Sequence, residues 1–295
     1  MSEELAPGLY LVATPIGNLG DITLRAIEVL KHADRIACED TRQTQKLLNH
    51  FAIATPTVSY HQHNEHHRAT ELVESLKAGA RVAVVSDAGT PGISDPGSWL
   101  VDAAIAAGIP VIPIPGANAA LSALVASGLS TEQFQFLGFL PEKAGARRTR
   151  LEELAAPPRD SAQTLIFYEA PHRVADTLAD LESVFGAALR MVAARELTKL
   201  HEEFLRGTVA EVRQQLATRD RIRGEFVLLI EAPAKKPGAP GPDSQTRETI
   251  SARVARLQAE SNLDEKEALK RLARELGQSK SELYRELQRE RARHR

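Results

Sequence analysis

The chain has 295 residues, of which 43% are hydrophobic, and its formal net charge is −2 at pH 7. A chain of this length is longer than a domain with one hydrophobic core usually is, which predicts two domains plus an extension. No run approaches eighteen uninterrupted apolar residues, which argues against a membrane-spanning helix, and the single cysteine, Cys38, excludes an internal disulfide framework. The opening residues MSEELAPG contain neither a basic leader nor an apolar core. We therefore expect a cytoplasmic protein with no membrane partner.

Strands and helices alternate along residues 1–130. Five short runs, among them LYLVAT, RIACE and RVAVVS, are separated by helical patterns such as ITLRAIEVLKHA. The runs are apolar throughout, which is typical of strands buried on both faces of a mostly parallel sheet. The pattern predicts an N-terminal α/β domain over residues 1–130.

A second series of strands and helices fills residues 131–232. The runs FQFLGFL, TLIFYEA, LRMVAARE and EFVLLIE are separated by helical patterns over residues 172–185 and 209–216. This predicts a second α/β domain. Residues 1–232 carry 22 Lys and Arg against 29 Asp and Glu, so this body is acidic.

The remaining residues differ in composition. Residues 233–243 are rich in proline and glycine, which predicts an exposed linker. Residues 244–295 form a basic helical extension, with 13 Lys and Arg against 10 Asp and Glu over residues 243–295. Asp264 followed by Glu267, and Ser279 followed by Glu282, predict two capped helix starts. Such a helix pair is typical of a small nucleic-acid-binding module or of a plain helical hairpin.

Three predicted strands end in glycine-containing loops. SDAGTPGISDPG at residues 86–97 follows the fourth strand, ATPIGNLGD at 13–21 the first, and IPGANAAL at 114–121 the fifth. Open α/β sheets bind ligands at the carboxyl ends of their strands, so the three loops should converge on one pocket. No loop matches the dinucleotide or P-loop pattern. The alternative for residues 86–97 is an elaborate turn in which Asp95 caps the next helix.

Eight segments in order carry a resemblance to a known family: LYLVATPIGNLGDITLRAIEVL, CEDTRQT, SDAGTPGISDPG, PGANAALSAL, FLGFLP, YEAPHR, ARELTKLHEE and GEFVLLIE. Over residues 8–232 the chain resembles the ribosomal RNA small-subunit (cytidine-2′-O)-methyltransferases of the tetrapyrrole methylase superfamily. The resemblance implies the α/β class: two α/β domains of the tetrapyrrole-methylase (class III methyltransferase) type with a small C-terminal helical extension. It implies S-adenosyl-L-methionine between the domains, a cytidine ribose in the decoding region of 16S rRNA as acceptor, the assembled small ribosomal subunit as substrate, and a homodimer.

The resemblance also implies the cofactor contacts. They would come from the three strand-end loops and from the YEAPHR segment: Pro15, Asp87, Ala88, Gly89, Thr90, Ser94, Gly116, Ala117, Ala119, Tyr168, Glu169 and Ala170. The chain has SDAGTP where superfamily relatives often have G-D-P-x-x-Y.

Methyl transfer from a sulfonium mainly requires alignment of the acceptor, and a base or a neighbouring cation helps a ribose hydroxyl to react. Charged residues follow two predicted strands. We predict Asp40 or Glu39 as the base and Lys199 as an electrostatic helper. The alternative for each is a charged turn paired with a neighbour.

Four cations lie within eight residues near the start of the second domain: Lys143, Arg147, Arg148 and Arg150. Because RNA affinity depends on phosphate neutralisation, this basic segment is the predicted RNA-binding element. The alternative is a mobile basic loop whose charge is offset by nearby glutamates.

Two further features have simpler interpretations. YHQHNEHHR at residues 60–68 contains four histidines, but no cysteine joins them and methyl transfer needs no metal. We therefore predict no metal there, and either a substrate-facing polar loop or a structural, solvated turn. Trp99, the only tryptophan, is predicted to pack in the core.

Three functions remain for the chain. The first is rRNA 2′-O-methylation. The second is methylation of a tetrapyrrole or a protein by an enzyme of the same fold, and the third is ribosome binding without catalysis. The basic segment favours the first over a small macrocycle, and the intact glycine loops favour cofactor binding over its loss.

Overall fold

The computed structural model describes residues 5–61, 64–94, 97–156 and 162–232, together with residues 254, 257–258, 264–276, 284 and 287. By their contacts, Met1–Ala234 form one compact unit and Lys235–Arg295 another. The division of the first unit into two domains at residue 130 stays a prediction. Within the described residues, no helix has the length and apolar character that crossing a membrane would require.

The first sheet is built from the five strands predicted over residues 1–130. Its strands are β1 (Gly8–Val12), β2 (Arg35–Cys38), β3 (Thr57–Ser59), β4 (Arg81–Val85) and β5 (Val111–Ile114). All are parallel, in the order β3-β2-β4-β1-β5. The intervening helices are α1 (Leu24–His32), α2 (Thr41–His50), α3 (Glu65–Lys77) and α4 (Ser98–Ala106).

Both faces of this sheet are covered, as the uniformly apolar strands predict. The α1 side buries Val12 and Ile36, and the side of α3 and α4 buries Leu9 and Leu72. Parallel strands with covered faces leave one edge, where their carboxyl ends meet, for the loops.

The second sheet is mixed. Its strands are β6 (Phe134–Phe139), β7 (Gln163–Glu169), β8 (Arg190–Arg195), β9 (Glu203–Thr208) and β10 (Phe226–Ala232), in the order β6-β7-β10-β8-β9. Only β6 and β7 pair in parallel. The helices are α5 (Ala119–Ser127), α6 (Ala144–Ala155), α7 (Val174–Phe185) and α8 (Val209–Ala217). Strand β9 was not predicted, since EFLRGT has no apolar run.

The core of the second sheet lies on both of its faces. One face packs against α6, α7 and α8 through residues such as Leu151, Leu178 and Val212, and the other face packs against α5 through Ala123 and Leu124. Helix α5, which follows the last strand of the first sheet, therefore rests on the second sheet and connects the two.

The second unit contains α9 (Glu265–Leu276). The backbone N–H of Glu267 donates to Asp264 Oδ1 at 2.7 Å, which gives the helix the predicted Asp264 start. Leu257, Leu269, Leu272 and Leu287 are buried in one cluster of this unit. The predicted linker, and the predicted second start at Ser279, lie outside the described residues.

Two predictions about single residues are wrong. Trp99 is 52% exposed and stacks edge-to-face on His66 with ring centroids 4.3 Å apart, because α4 buries the neighbouring Leu100 instead. Arg147, predicted as part of an RNA clamp, has a side chain only 4% exposed and is paired with Asp180.

Candidate active site

The three glycine-containing loops meet at the carboxyl edge of the first sheet. The backbones of Thr14 and Gly89 exchange two hydrogen bonds, at 2.8 and 3.1 Å, and Thr14 Oγ1 donates to Ser86 O at 3.1 Å. These bonds hold the loop after β1 against the loop after β4.

Gly89 is the point at which the loops come closest. Its φ of +85° is a left-handed conformation that glycine adopts without strain. A Cβ at this position would lie 3.4 Å from Ile16 Cγ2 and 3.7 Å from Ala117 O, so side chain and backbone from the other two loops surround it. The glycine therefore allows the backbone to approach both loops and the cavity beside them.

A cavity of about 520 Å³ lies between these loops and the second sheet. The first-sheet side supplies loop residues, and the second-sheet side supplies the ends of β7 and β10 and the turn after β8. Its lining is Ile16, Asp87, Ala88, Gly89, Thr90, Ile93, Ser94, Asn118, Ala119, Phe139, Tyr168, Glu169, Ala170, Pro171, His172, Leu197, Lys199, Glu225, Phe226 and Val227. A cavity of this size is in the range of small-molecule and cofactor sites.

Most of the cofactor contacts implied by the resemblance lie on this lining. They are Asp87, Ala88, Gly89, Thr90, Ser94, Ala119, Tyr168, Glu169 and Ala170. Three do not: Pro15, Gly116 and Ala117 lie in the surrounding loops. A Cβ on Gly116 would lie 2.9 Å from the Cβ of Ala13, so Gly116 packs against the first loop behind the cavity.

Both carboxylate oxygens of Glu169 accept hydrogen bonds from residues that follow β7. The residue is buried, and its oxygens accept from Thr177 Oγ1 at 2.6 Å and from Ala170 N–H at 2.8 Å. Arg173 lies 3.2 Å away and donates to Leu140 O at 2.6 Å. The side chain of Glu169 therefore fixes the turn after β7, and the lining Ala170 backbone is positioned by it.

Lys199 borders the cavity from a turn between β8 and β9. Its Nζ donates to Glu196 Oε1 at 2.8 Å and to Glu225 Oε2 at 2.9 Å. Burial opposes the charged form of Lys199, but the hydrogen bonds to the two carboxylates outweigh it and raise its pKa. Lys199 is therefore an ammonium at neutral pH and cannot act as a base.

The turn that carries Lys199 has an unusual backbone. Glu196 and Thr198 have φ of +52° and +64°, a region that costs non-glycine residues about 1–3 kcal/mol. The buried Leu197 between them and the hydrogen bond from Glu225 N–H to Glu196 Oε1, at 3.0 Å, hold this conformation. Strain kept in place beside a cavity is a feature of functional sites.

The two predicted bases, Glu39 and Asp40, lie outside the lining of this cavity, at the end of β2. Asp40 caps α2, accepting from Arg42 N–H at 2.8 Å, and its own N–H donates to Asp87 Oδ1 at 3.2 Å. Burial raises the pKa of Glu39, and the charge of Asp87 adds to the increase. The raised pKa makes Glu39 a stronger proton acceptor than an ordinary carboxylate.

The predicted basic segment occupies the start of α6. Its four basic side chains differ in how far they are exposed to solvent. Arg147 Nε donates to Asp180 Oδ2 at 2.7 Å in the interior, whereas Arg148, 60% exposed, reaches Asp180 Oδ1 at 2.6 Å from outside. Lys143 and Arg150 are exposed. Arg147 is therefore not accessible to a polyanion, whereas the other three cations are.

The histidine-rich segment forms no metal site in the described part of the chain, where no group of three His, Cys, Asp or Glu side chains could hold an ion. His63 lies outside the described residues. His66 contacts Trp99, and His67 lies 3.4 Å from Glu71 on the exposed side of α3.

Several lining residues were missed by the sequence argument. Phe139 lies inside the predicted run FQFLGFL, Glu225 is the first residue of the predicted run EFVLLIE, and Ile93 belongs to a predicted loop. Position alone therefore offered a signal for Glu225 and Ile93. Phe139 had none, because its direction depends on an irregular strand pairing.

The sequence and the fold match one class of protein. Residues 8–213 match the family model described as Tetrapyrrole (Corrin/Porphyrin) Methylases. Among solved structures, uroporphyrin-III C-methyl transferase from Thermus thermophilus, complexed with S-adenyl homocysteine, has a TM-score of 0.52 at 18% identity, covering 75% of this chain and 96% of that one. A diphthine synthase has a TM-score of 0.56 at 16% identity, covering 76% and 89%. These two show the shared fold.

Curated relatives are much closer in sequence. The chain is 51% identical to "Ribosomal RNA small subunit methyltransferase I" of Halalkalibacterium halodurans, covering 94% of this chain and 93% of the relative. It is 47% identical to the protein of that name in Synechocystis sp., covering 94% and 95%, and 44% identical to that of Bacillus subtilis, covering 94% and 92%. The chain belongs to the tetrapyrrole methylase family and, within it, to the ribosomal RNA small subunit methyltransferase I group.

Proposed function

We propose that this enzyme transfers a methyl group from S-adenosyl-L-methionine to the 2′-oxygen of a cytidine in the decoding region of 16S rRNA, on the assembled small ribosomal subunit in the cytoplasm. The observation that carries the proposal is the cavity beside Gly89, which brings the three strand-end loops together with Tyr168 and Ala170. The relatives are named as methyltransferases of small-subunit ribosomal RNA, and these names support the proposed RNA substrate.

The residues of the cavity suit this cofactor. Buried apolar side chains, Leu197, Phe226 and Val227, and the half-buried Tyr168 offer a surface for an adenine ring. The carboxylates of Asp87 and Glu225 offer opposite charge to a sulfonium and an amino group. When bound, S-adenosyl-L-methionine supplies an activated methyl group for in-line displacement.

The chain's own residues then have to activate a ribose hydroxyl. Lys199, held as an ammonium, stabilises negative charge that develops on the acceptor oxygen. Glu39 lies outside the cavity lining but next to Asp40, whose N–H donates to the lining residue Asp87. With its raised pKa, Glu39 is the proposed acceptor of the hydroxyl proton at the edge of the cavity, and Asp40 positions the start of α2 beside it.

The RNA-binding element of the proposal is the exposed part of the basic segment: Lys143, Arg148 and Arg150. Each phosphate contact that is lost should reduce the slope of log affinity against log salt by about 0.7–0.9. Arg150→Ala and Arg148→Ala should each do so. Arg219→Ala, which removes an arginine that follows α8 and is paired with Glu203 of β9, serves as control for a general loss of charge.

We also propose a homodimer. Leu121 and Val125 are exposed on α5, a helix whose sequence AALSALVAS is apolar on all sides. A helix of this kind is normally buried, so its outer face fits a second copy of the chain. Val125→Asp should convert a dimer to a monomer in analytical ultracentrifugation, and a monomeric wild-type protein would contradict the proposal.

The experiment that tests the function is labelled methyl transfer. Small subunits from cells lacking the endogenous activity are incubated with methyl-labelled cofactor, and the label is mapped by nuclease digestion. Label on the ribose of one cytidine supports the proposal. Label on a protein or a porphyrinoid would overturn the proposed substrate. Absence of any label, with cofactor affinity intact, would overturn it as well.

A matched pair of variants tests the cavity. Gly89→Val places a side chain at the junction of the three loops and should abolish cofactor binding in calorimetry. Gly79→Val imposes the same backbone strain, at φ of +90°, where a Cβ meets nothing within 4 Å, and should bind the cofactor normally. Equal losses in both variants would show that strain alone is responsible.

A further inference from the structure

Strand β6 contains a bulge where it reaches the cavity. Phe136 pairs with Ile166 and Phe139 pairs with Tyr168, so three steps along β6 match two steps along β7. Gly138 adopts a left-handed φ of +64° within this irregularity. Bulges occur beside active sites, where they redirect a side chain.

The bulge places two phenylalanines on one face. In a regular strand, residues three apart point to opposite faces. Here Phe136 and Phe139 both contact Tyr168 edge-to-face, with ring centroids 4.8 and 5.6 Å away. The second of these rings borders the cavity and is 55% exposed. The extra residue in β6 thus presents an accessible aromatic ring at the cavity.

A second exposed apolar side chain borders the same cavity from the first sheet. Ile93, 38% exposed, lies in the loop after β4. A Cβ on Gly138 would lie 3.2 Å from Ser94 Oγ, so the bulge contacts the residue next to Ile93. Ser94 itself has a left-handed φ of +62°. Two irregular backbones therefore meet and carry Ile93 and Phe139 at the accessible part of the lining.

An aromatic ring and an aliphatic side chain that border one cavity and remain exposed suit a flat apolar ligand. A nucleobase taken out of its stack is held in this way, between aromatic and apolar side chains. The buried part of the lining, including Leu197 and Phe226, is the part suited to a cofactor, since such ligands lose most of their surface on binding. The exposed pair is the part of the lining that a macromolecular substrate can contact from solvent.

We propose that Phe139 and Ile93 form a subsite for the base of the acceptor nucleotide, which is extruded from the RNA so that its 2′-hydroxyl reaches Lys199. The proposal rests on the function proposed above. Phe139 is the platform on which the base stacks, and Ile93 limits its position from the opposite loop.

The test compares Phe139→Ala with wild type on two forms of the small subunit, assembled with rRNA that carries either cytidine or an abasic ribose at the acceptor position. Both retain the 2′-hydroxyl. Loss of one stacking contact is expected to lower kcat/KM on the normal subunit by roughly 5- to 150-fold. The abasic subunit should reduce the wild-type value similarly and should show no further loss with Phe139→Ala. Phe139→Tyr should restore activity.

Phe134→Ala is the matched control, because this phenylalanine is exposed on the same strand at its opposite end. It should behave as wild type on both subunits. Affinity for S-adenosyl-L-methionine, measured by calorimetry, should be unchanged in Phe139→Ala.

Two results would overturn the subsite while leaving the function intact. One is a loss of cofactor affinity in Phe139→Ala, which would assign the ring to the cofactor. The other is an equal loss of activity on the normal and abasic subunits. Absence of transfer by wild type to the normal subunit would instead refute the proposed function, and the subsite with it.

Discussion

Replacing Arg147 and Arg148 one at a time should separate folding from RNA binding, although the two arginines are neighbours and share one carboxylate. Arg147 Nε and Arg148 Nε donate to the two oxygens of Asp180, at 2.7 and 2.6 Å. Arg147 and Asp180 are both buried, and Arg147 also donates to Glu142 O at 3.2 Å. Arg148 is largely exposed.

Arg147→Ala leaves Asp180 buried without its interior partner. Breaking a buried pair by removing one member typically costs about 3–5 kcal/mol when the other charge is left unpaired. Because Asp180 keeps its hydrogen bond from Arg148, we expect the free energy of unfolding to fall by no more than that amount, measured by urea titration followed by circular dichroism. RNA affinity should be unchanged when it is measured without urea, at a temperature where the variant is folded.

Arg148→Ala should lower stability less and RNA binding more. Its side chain is 60% exposed and Asp180 keeps its interior partner Arg147, so the urea midpoint should fall less than in Arg147→Ala. The salt dependence of RNA binding should fall by the equivalent of one phosphate contact. If Arg147→Ala reduced RNA affinity with stability unchanged, or Arg148→Ala reduced stability alone, the division between the interior pair and the RNA-facing cation would be refuted.

Three further outcomes are expected. Lys199→Met should lower the single-turnover rate by about 10²-fold with cofactor affinity retained and with partial rescue by Lys199→Arg; an unchanged rate would exclude the electrostatic role. For Asp180, burial raises the pKa, but hydrogen bonds from Arg148 and Arg147 outweigh it, and the bonds from Arg219 hold the pKa of Glu203 low. Their stabilisation is therefore complete above the ordinary carboxyl range, about pH 4, and is lost as pH falls through the lowered values; urea midpoints that stay constant from pH 7 to 3 would contradict this. The emission of Trp99 should be quenched efficiently by acrylamide, whereas a shielded tryptophan would contradict its exposed position.

The location of the cavity could be predicted because it follows from strand direction. Runs such as RVAVVS identify buried parallel strands, and the residues after them must then lie at one edge. Gly89 and Ala119 were reached by that argument together with the resemblance, and both line the cavity. No knowledge of side-chain packing was needed.

The features that were missed depend on packing between elements. Arg147 shares a face of α6 with Leu151 and Leu154, at spacings of four and seven residues, so helical periodicity did contain the signal for its burial. For Trp99 it did not, because α4 is apolar on nearly every side and the buried face cannot be chosen from the sequence. Phe139 depends on the pairing of β6 with β7, and a bulge is a property of two strands together.

The charges around Lys199 allow one site to bind a cationic cofactor and also to offer an ammonium group to the acceptor oxygen. A cofactor with a sulfonium would be repelled by an isolated ammonium: two like charges 4 Å apart oppose each other by about 4 kcal/mol at an effective dielectric constant of 20. Here the ammonium is hydrogen-bonded to both Glu196 and Glu225, so the cluster of three side chains carries a net charge of −1. It attracts a cation as a whole while its Nζ remains a donor. Glu225 is exposed and Glu196 is largely buried. In the mechanism that we propose, an acceptor oxygen therefore displaces Glu225 from Lys199, while Glu196 keeps the lysine in place.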